Sequence, residues 1–473
     1  MRAFFAASFA SCIGVACTAA LALPPTPTQA FTTAVPAEPD LPGSTQSLPL
    51  APLTGLDRAP GGAVAQGLPR RDVRPFSLVG VVWDDVDTEL HGTVQVRTRA
   101  TGSKEWSAWQ DLVTHNHEHA PDPDSPERAE GTVRGSTAPL WVGDSDGVEV
   151  RVRPETADGP RGATPPLPGG LRLELVDPGK ATEPDAPRSA APASVREPAT
   201  NPQPGEEEAT QASGPKAGGA TELDLAAAPL TAEAAAASAV NAELAPLGAT
   251  EIPAQSKAET MAEAGLYGVA RPYIGPRPGI ITRKGWGANE ALREKQFVYT
   301  HAVKAAFVHH SATGNRYTCA QAPSVLRSIY RYHVESSGWR DIGYNFAVDK
   351  CGNIYEGRAG GVAKAVLGAH TLGFNTNSMG IAVLGTYSAT SPPAAVVDAV
   401  AKLTAWKLGL YGVNPQAKAS LISGGGNKFK KGTTVKLNAI SGHRDGFATE
   451  CPGGLLYNKL GAARSTSAKL QGR

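Results

Sequence analysis

Charge of one sign is missing from this sequence. Forty-five Lys and Arg residues stand against forty-four Asp and Glu, a net charge of +1. That balance gives no basic footprint for nucleic acid and leaves other partners open. Long apolar runs are missing too, apart from residues 4–23, an Ala- and Ser-rich stretch behind Arg2 that passes into Pro24-Pro25. A basic start, an apolar run and small residues near Ala22 and Ala30 read as a signal peptide over residues 1–30. A lipoprotein reading through Cys17 is weaker, because Gly14 stands where a larger aliphatic side chain is expected. No other segment has the length and apolarity to span a bilayer. A secreted chain with no stable membrane insertion after signal cleavage is therefore expected, located at the cell wall or outside the cell. Cysteine is scarce, with five in 473 residues. Cys12 and Cys17 leave with the signal, and Cys319, Cys351 and Cys451 remain.

Texture divides the rest. Residues 31–74 are rich in Pro, Leu and Gly without periodicity and read as a flexible lead-in. Over residues 75–176, short strand-like runs alternate apolar and polar residues, as in Thr93-Val94-Gln95-Val96-Arg97, and Gly, Asp and Pro clusters separate them. A small all-β, sandwich-like domain is expected there. Within it, Trp106 and Trp109 could bind sugar, although packing is the commoner role of aromatics. His115, His117 and His119 alternate, which on a strand would put them on one face for a metal. Their neighbours, Asn116, Glu118 and Pro121-Asp122-Pro123-Asp124, read instead as a solvated loop, and this domain is expected to hold no catalytic constellation. Residues 177–263 are dominated by Ala, Pro, Glu and Thr and read as a linker too poor in apolar side chains to fold compactly. Residues 264–473 alternate strand and helix signals. Strands are expected at 303–310, 343–349, 353–356, 378–386 and 439–443, and helices at 322–335, 394–410 and 455–463. That is the pattern of an α/β domain with a mixed sheet flanked by helices.

The chemistry lies in this last part. The apolar run 303–308 reads as a buried strand ending in His309-His310, and 439–442 as a second strand delivering His443. Cys451 follows across a loop. Two imidazoles and a thiolate suit Zn²⁺, and a catalytic zinc keeps its fourth position open. The spacing from His443 to Cys451 is not that of a zinc finger. No second Cys or His is expected near enough to close a structural site. Taken alone, a His at a strand end is more often structural and a lone Cys more often simply buried.

Further pieces occur in order around these residues. They are Trp286-Gly287-Ala288, Val308-His309-His310-Ser311, Gly338-Trp339, Asp341-Ile342-Gly343-Tyr344-Asn345-Phe346 and Tyr355-Glu356-Gly357-Arg358. Gly368-Ala369-His370, Asn375-Thr376-Asn377-Ser378-Met379-Gly380-Ile381, Gly442-His443-Arg444-Asp445 and Cys451-Pro452-Gly453 complete the set. Residues 281–460 thereby resemble the zinc-dependent N-acetylmuramoyl-L-alanine amidases shared by phage lysozymes and animal peptidoglycan recognition proteins. More loosely, the β domain resembles N-terminal regions of secreted actinobacterial amidases.

The resemblance implies a sheet flanked by helices, peptidoglycan as partner, a monomer, and Zn²⁺ held by His309, His443 and Cys451. Because neighbours on a strand face opposite sides, His310 goes to structure or substrate. Tyr344 matches the catalytic Tyr, whose phenol would orient the attacking water or stabilise the oxyanion. Thr449 stands where phage enzymes carry Lys and catalytic recognition proteins carry Thr. His333 and His370 match groove positions that contact substrate or shape the site, with a structural His as the alternative. Asn375 and Asn377 are candidate hydrogen-bonding groups on the groove rim, with turn formation as the alternative. Glu356 and Arg358 are expected to form a structural pair. With Cys451 accounted for as a ligand, Cys319 and Cys351 are the natural disulfide. A non-catalytic peptidoglycan receptor is the competing class, and relatives that only bind have usually lost the ligand equivalent to Cys451. A third possibility makes the β domain the wall-targeting part and the amidase its cargo.

Overall fold

The run Phe76-Ser77-Leu78-Val79-Gly80-Val81-Val82-Trp83 is apolar at nearly every position, and every one of its residues is buried. A strand that hides both faces needs a partner on each side. In the structure, a computed structural model describing residues 43–53, 64–155, 165–179, 229–266 and 273–473, it has both. The expected signal peptide lies outside the described residues.

The β domain is one eight-stranded, largely antiparallel sheet. Its main strands are β1 (Ser44–Pro49), β2 (Gln66–Trp83), β3 (Gly92–Ala100), β4 (Gln110–Leu112), β5 (Leu140–Pro154) and β6 (Arg172–Asp177), in the order β1-β6-β2-β5-β3-β4. The long strands β2 and β5 pair through several register shifts, and such bulges bend a sheet. One set of β2 side chains (Val79, Val81, Trp83) joins Val94, Val150, Leu173 and Leu175 in the domain's own core. The alternate set (Leu78, Val82) faces the other way with Trp141 and Val176, against Val325, Ile329 and Tyr332 of the C-terminal domain. Between them Gly80 is obligatory, because a Cβ there would lie 2.4 Å from the Tyr332 hydroxyl. Trp106 and Trp109 stay out of the core and are stacked by arginines: Arg70 lies 5.1 Å over Trp106, and Arg151 lies 3.9 Å over Trp109.

The C-terminal domain is built on a seven-stranded mixed sheet. Its centre holds β7 (Ala305–His310), β8 (Phe346–Val348), β9 (Ile354–Glu356), β10 (Ser378–Val383) and β11 (Ile440–Gly442), in the order β11-β7-β10-β8-β9. Helices Ala322–Arg331, Ala394–Leu410 and Leu460–Gln471 flank it, as the alternation of strand and helix signals implies. The first continues into one π-helical turn, Tyr332–Ser336, a local widening that often marks a functional position. Here it carries His333. Cys319 and Cys351 are disulfide-bonded, with Cα atoms 6.2 Å apart. Among the described residues no helix is long and apolar enough to cross a membrane.

Two boundaries differ from the sequence expectation. Part of the expected lead-in is strand β1, which pairs along its whole length with β6. The described end of the expected linker is also structured. Helices Ala232–Ala239 and Lys257–Leu266 and the short strand Glu251–Ile252 lie there, and Ala245, Ile252 and Ala264 enter the C-terminal core. Few apolar side chains suffice because that core surface is already formed, and polar anchors add direction. Asn241 donates to Glu356 at 2.8 Å, and Glu263 pairs with Arg277 at 3.0 Å.

Candidate functional site

Register places the two histidines expected as ligands side by side. Strands β7 and β11 run parallel, with Val308 opposite Gly442, so the residues that follow, His309 and His443, emerge from the same ends of adjacent strands. Their ring centroids are 4.6 Å apart. His310 takes the other face, where its Nδ1 accepts from the Tyr387 N–H at 3.2 Å. Cys451 is brought back by its carbonyl, which accepts from the Arg444 N–H at 3.0 Å. Its Sγ lies 3.7 Å from His309 Nδ1, and the opposite ring nitrogen of His309 lies 3.4 Å from Thr371 Oγ1.

A fourth donor stands with them. His119, expected to sit on a solvated loop, is buried among these residues, its ring 4.5 Å from that of His443 and 5.3 Å from that of His309. One ligand atom from each of His119, His309, His443 and Cys451 falls within 4.8 Å of the others. Tetrahedral zinc with bonds of about 2.0–2.3 Å needs ligand atoms about 3.4–3.8 Å apart, which small rotations of these side chains supply. Both ring nitrogens of His119 and of His443 are buried without a hydrogen-bond partner. Buried polar atoms are otherwise almost always satisfied, so four orphaned imidazole nitrogens around one point fit a metal. Electrostatics agree with the donor set. Burial, reinforced by the neighbouring imidazoles, holds His309 far below the usual histidine range, and burial does the same to His443. Both rings are thus neutral, the form that ligates. Burial also pushes the Cys451 thiol well above its ordinary value, a shift that a bound dication reverses.

Around this centre the other expected residues fall into three groups. Tyr344 faces it, with its ring 5.4 Å from His309. Burial drives its phenol upward, so it stays a protonated donor. His333 is beside Tyr344 at 5.7 Å, stacked on Trp339 at 4.3 Å, with its Nδ1 accepting from the Gly343 N–H at 3.2 Å. His370 lies behind His309 and is fully buried, its Nδ1 3.0 Å from Thr371 Oγ1. Thr449 receives the Cys451 N–H at 3.1 Å and donates to Glu118 at 2.9 Å. Asn375 is buried rather than on an open rim. Its Oδ1 accepts from the His370 and Thr371 N–H groups, and its Nδ2 donates to Ala120 and Asp122. Asn377 sits apart from the cluster at φ 59°, in the turn before β10, where it accepts from the N–H groups of Ala302 and Lys304. Glu356 and Arg358 do not pair with each other. Glu356 is held by Asn241 and the Arg283 N–H, and Arg358 by Glu127 of the β domain at 2.8 Å.

Sequence reasoning missed His119. The signal was the alternation of three histidines, but the chain turns as a short 3-10 helix over His117–His119 rather than running as a strand. Only the third ring is delivered into the site. His117 keeps to the side, 5.4 Å from Phe447, and His115 is exposed.

Residues 299–454 match the family described as N-acetylmuramoyl-L-alanine amidase. Residues 32–211 match one described as Rv3811 N-terminal galactose-binding domain-like. Peptidoglycan-recognition protein SC2 of Drosophila melanogaster is 31% identical over 181 residues, covering 38% of this chain and 84% of its own length. The human N-acetylmuramoyl-L-alanine amidase is 31% identical over 192 residues, 39% of this chain and 28% of that protein. Among solved structures, Drosophila PGRP-LB is 27% identical, covering 39% of this chain and 92% of that chain, with a TM-score of 0.31.

Proposed function

Because the chain belongs to the family of peptidoglycan-recognition proteins and N-acetylmuramoyl-L-alanine amidases, we propose that it is a secreted zinc amidase. Its substrate is peptidoglycan, cut at the amide between the lactyl group of N-acetylmuramic acid and L-alanine. The observation that carries this reading is the gathering of His309, His443 and Cys451 at one buried point beside Tyr344. Zinc held by His309, His443 and Cys451 would supply a more acidic water, with a pKa of about 7, and a polarised amide carbonyl. The remaining work falls to side chains. The neutral, buried rings of His309 and His443 keep the donor atoms free of protons. Thr371 fixes the orientation of His309, as groups behind metal ligands do. The Tyr344 phenol is placed to donate to the oxyanion that forms as water adds to the carbonyl carbon. Breaking the C–N bond then leaves a lactyl carboxylate and a new L-alanine amine. His333, buried beside Tyr344 and stacked on Trp339, supports the wall of the site. The apolar N-terminal run of the sequence and the Cys319–Cys351 disulfide support export, since disulfides persist outside reducing compartments.

Zinc content and release of new L-alanine amino termini from sacculi test this reading. They are best read in the protein and in His119→Ala, which removes the fourth donor of the cluster. Cys451→Ser keeps a hydroxyl of similar shape but no soft anion, so zinc affinity is expected to fall sharply. Tyr344→Phe is expected to keep zinc and lose about 10²–10³ in kcat. Binding to wall by fully zinc-loaded protein and by His119→Ala, with no amino termini from either, replaces the amidase with a receptor.

A further inference from the structure

His119 does not belong to the part of the chain that carries the amidase chemistry. It lies outside residues 299–454, on a loop of the β domain between β4 and β5, yet its unpartnered ring nitrogens face the cluster. That loop is fastened across the groove at successive points. Glu118 accepts from Thr449 at 2.9 Å, and its carbonyl accepts from the Leu372 N–H at 2.8 Å. Asp122 accepts from the Gly373 N–H at 2.6 Å and from Asn375 at 2.8 Å. Glu127 binds Arg358 through both carboxylate oxygens, at 2.8 and 3.1 Å, and accepts from the Arg340 N–H at 2.9 Å. Asp124 pairs with Lys431. Thr132 donates to the Gly338 carbonyl at 2.9 Å.

Three protein ligands leave a zinc position for water and substrate, whereas four close it. Resting on the amidase reading, we propose that His119 is a displaceable fourth zinc ligand and that the loop carrying it is a strap holding the enzyme latent. The same loop occupies Thr449, Arg358 and Asn375, so metal and groove are blocked together and are freed together when it lifts. An imidazole suits this task, being a good ligand when delivered by a folded loop and a poor competitor with water once the loop has left. The carboxylates on either side supply that delivery. Their contacts are directional and each can be exchanged for water, and among the described residues the strap's apolar hold is confined to Val133 against Trp339 and Ala369.

The test uses the full chain in three forms: the natural sequence, His119→Ala, and the anchor variant Asp122→Ala/Glu127→Gln, which retains His119. Each is loaded with Co²⁺ in place of zinc, its visible spectrum is recorded with and without azide as a small anionic probe, and transfer of zinc to a chelator is timed. Each zinc form is also assayed on a soluble muropeptide. The natural sequence is expected to give a four-coordinate spectrum that azide leaves unchanged. In His119→Ala azide shifts the spectrum, zinc leaves at least tenfold faster, and muropeptide hydrolysis rises at least tenfold. The anchor variant falls between. An azide response in the natural sequence equal to that of His119→Ala, with equal zinc loss, overturns the proposal. If His119→Ala does not fold, the anchor variant decides: an azide response supports the strap and none overturns it. Expected spectra without hydrolysis in any form leave His119 as a ligand and remove the amidase, and with it the latency.

Discussion

The two domains touch through two zones of opposite character. One is apolar: Leu78, Val82, Trp141 and Val176 press on Val325, Ile329 and Tyr332. The Tyr332 hydroxyl finds the Thr137 carbonyl at 3.0 Å. The other is polar, the loop that lays Glu118, His119, Asp122 and Glu127 on the groove. Burial of apolar surface has no preferred direction and no competitor in water. Carboxylate contacts are directional, and water or another ligand can replace them one at a time. The first zone therefore suits a permanent junction, and the second suits a contact made to be broken.

Breaking the apolar zone is expected to have the largest effect. Leu78→Ala removes a fully buried side chain, and such truncations cost about 2–5 kcal/mol. Urea denaturation followed by circular dichroism and by tryptophan fluorescence is expected to shift together. Two separated transitions would show that the zone does not couple the domains.

Glu127→Gln probes the other side. Stripping a buried partner from Arg358 in a rigid setting would cost about 3–5 kcal/mol. Here the loop can lift and let water reach the guanidinium, so the loss stays below that figure, at about 1–2 kcal/mol for the charge-assisted part of Glu127's own bonds. Amide exchange over residues 117–134 is expected to quicken while that of β5 is unchanged. Equal quickening in β5 would mean that the loop and its domain open as one body.

The smallest effect is that of pH. Burial pushes the Asp122 carboxyl up to about 6. A carboxyl whose pKa rises on docking contributes stability that is fully present below its free value and is lost as pH climbs through about 6. Protection of the loop from protease is thus expected to weaken between pH 4 and 6 in the natural sequence relative to Asp122→Asn. Parallel curves for the two proteins would remove Asp122 from the balance.

These contrasts also decide what could be read from the chain. That His309, His443, Cys451 and Tyr344 come together was legible because each sits in a short motif, such as Gly442-His443-Arg444-Asp445. Strand β7 announced itself by an apolar run, and its register with β11 follows from that. His119 was illegible because its meaning lies in a partner far along the chain, as in the Thr449–Glu118 bond across a separation of 331 residues. Pro121-Asp122-Pro123-Asp124 has the composition of a solvated turn, and only the Gly373 N–H and Lys431 opposite show that its acids are fastenings. The same holds for residues 229–263. An Ala-rich stretch with one Ile at its heart looks like a linker until the groove that receives Ile252 is known.

Synthesis proceeds from the N-terminus, and domains tend to fold as they emerge. Strands β1 to β6 are complete before Tyr332 has been made, so for that interval the strip of Leu78, Val82, Trp141 and Val176 stands bare. The β domain therefore offers the later chain a finished surface to settle on, and its loop is made before the groove that holds it. The strap precedes the lock it fastens, and closes only when that lock has been made.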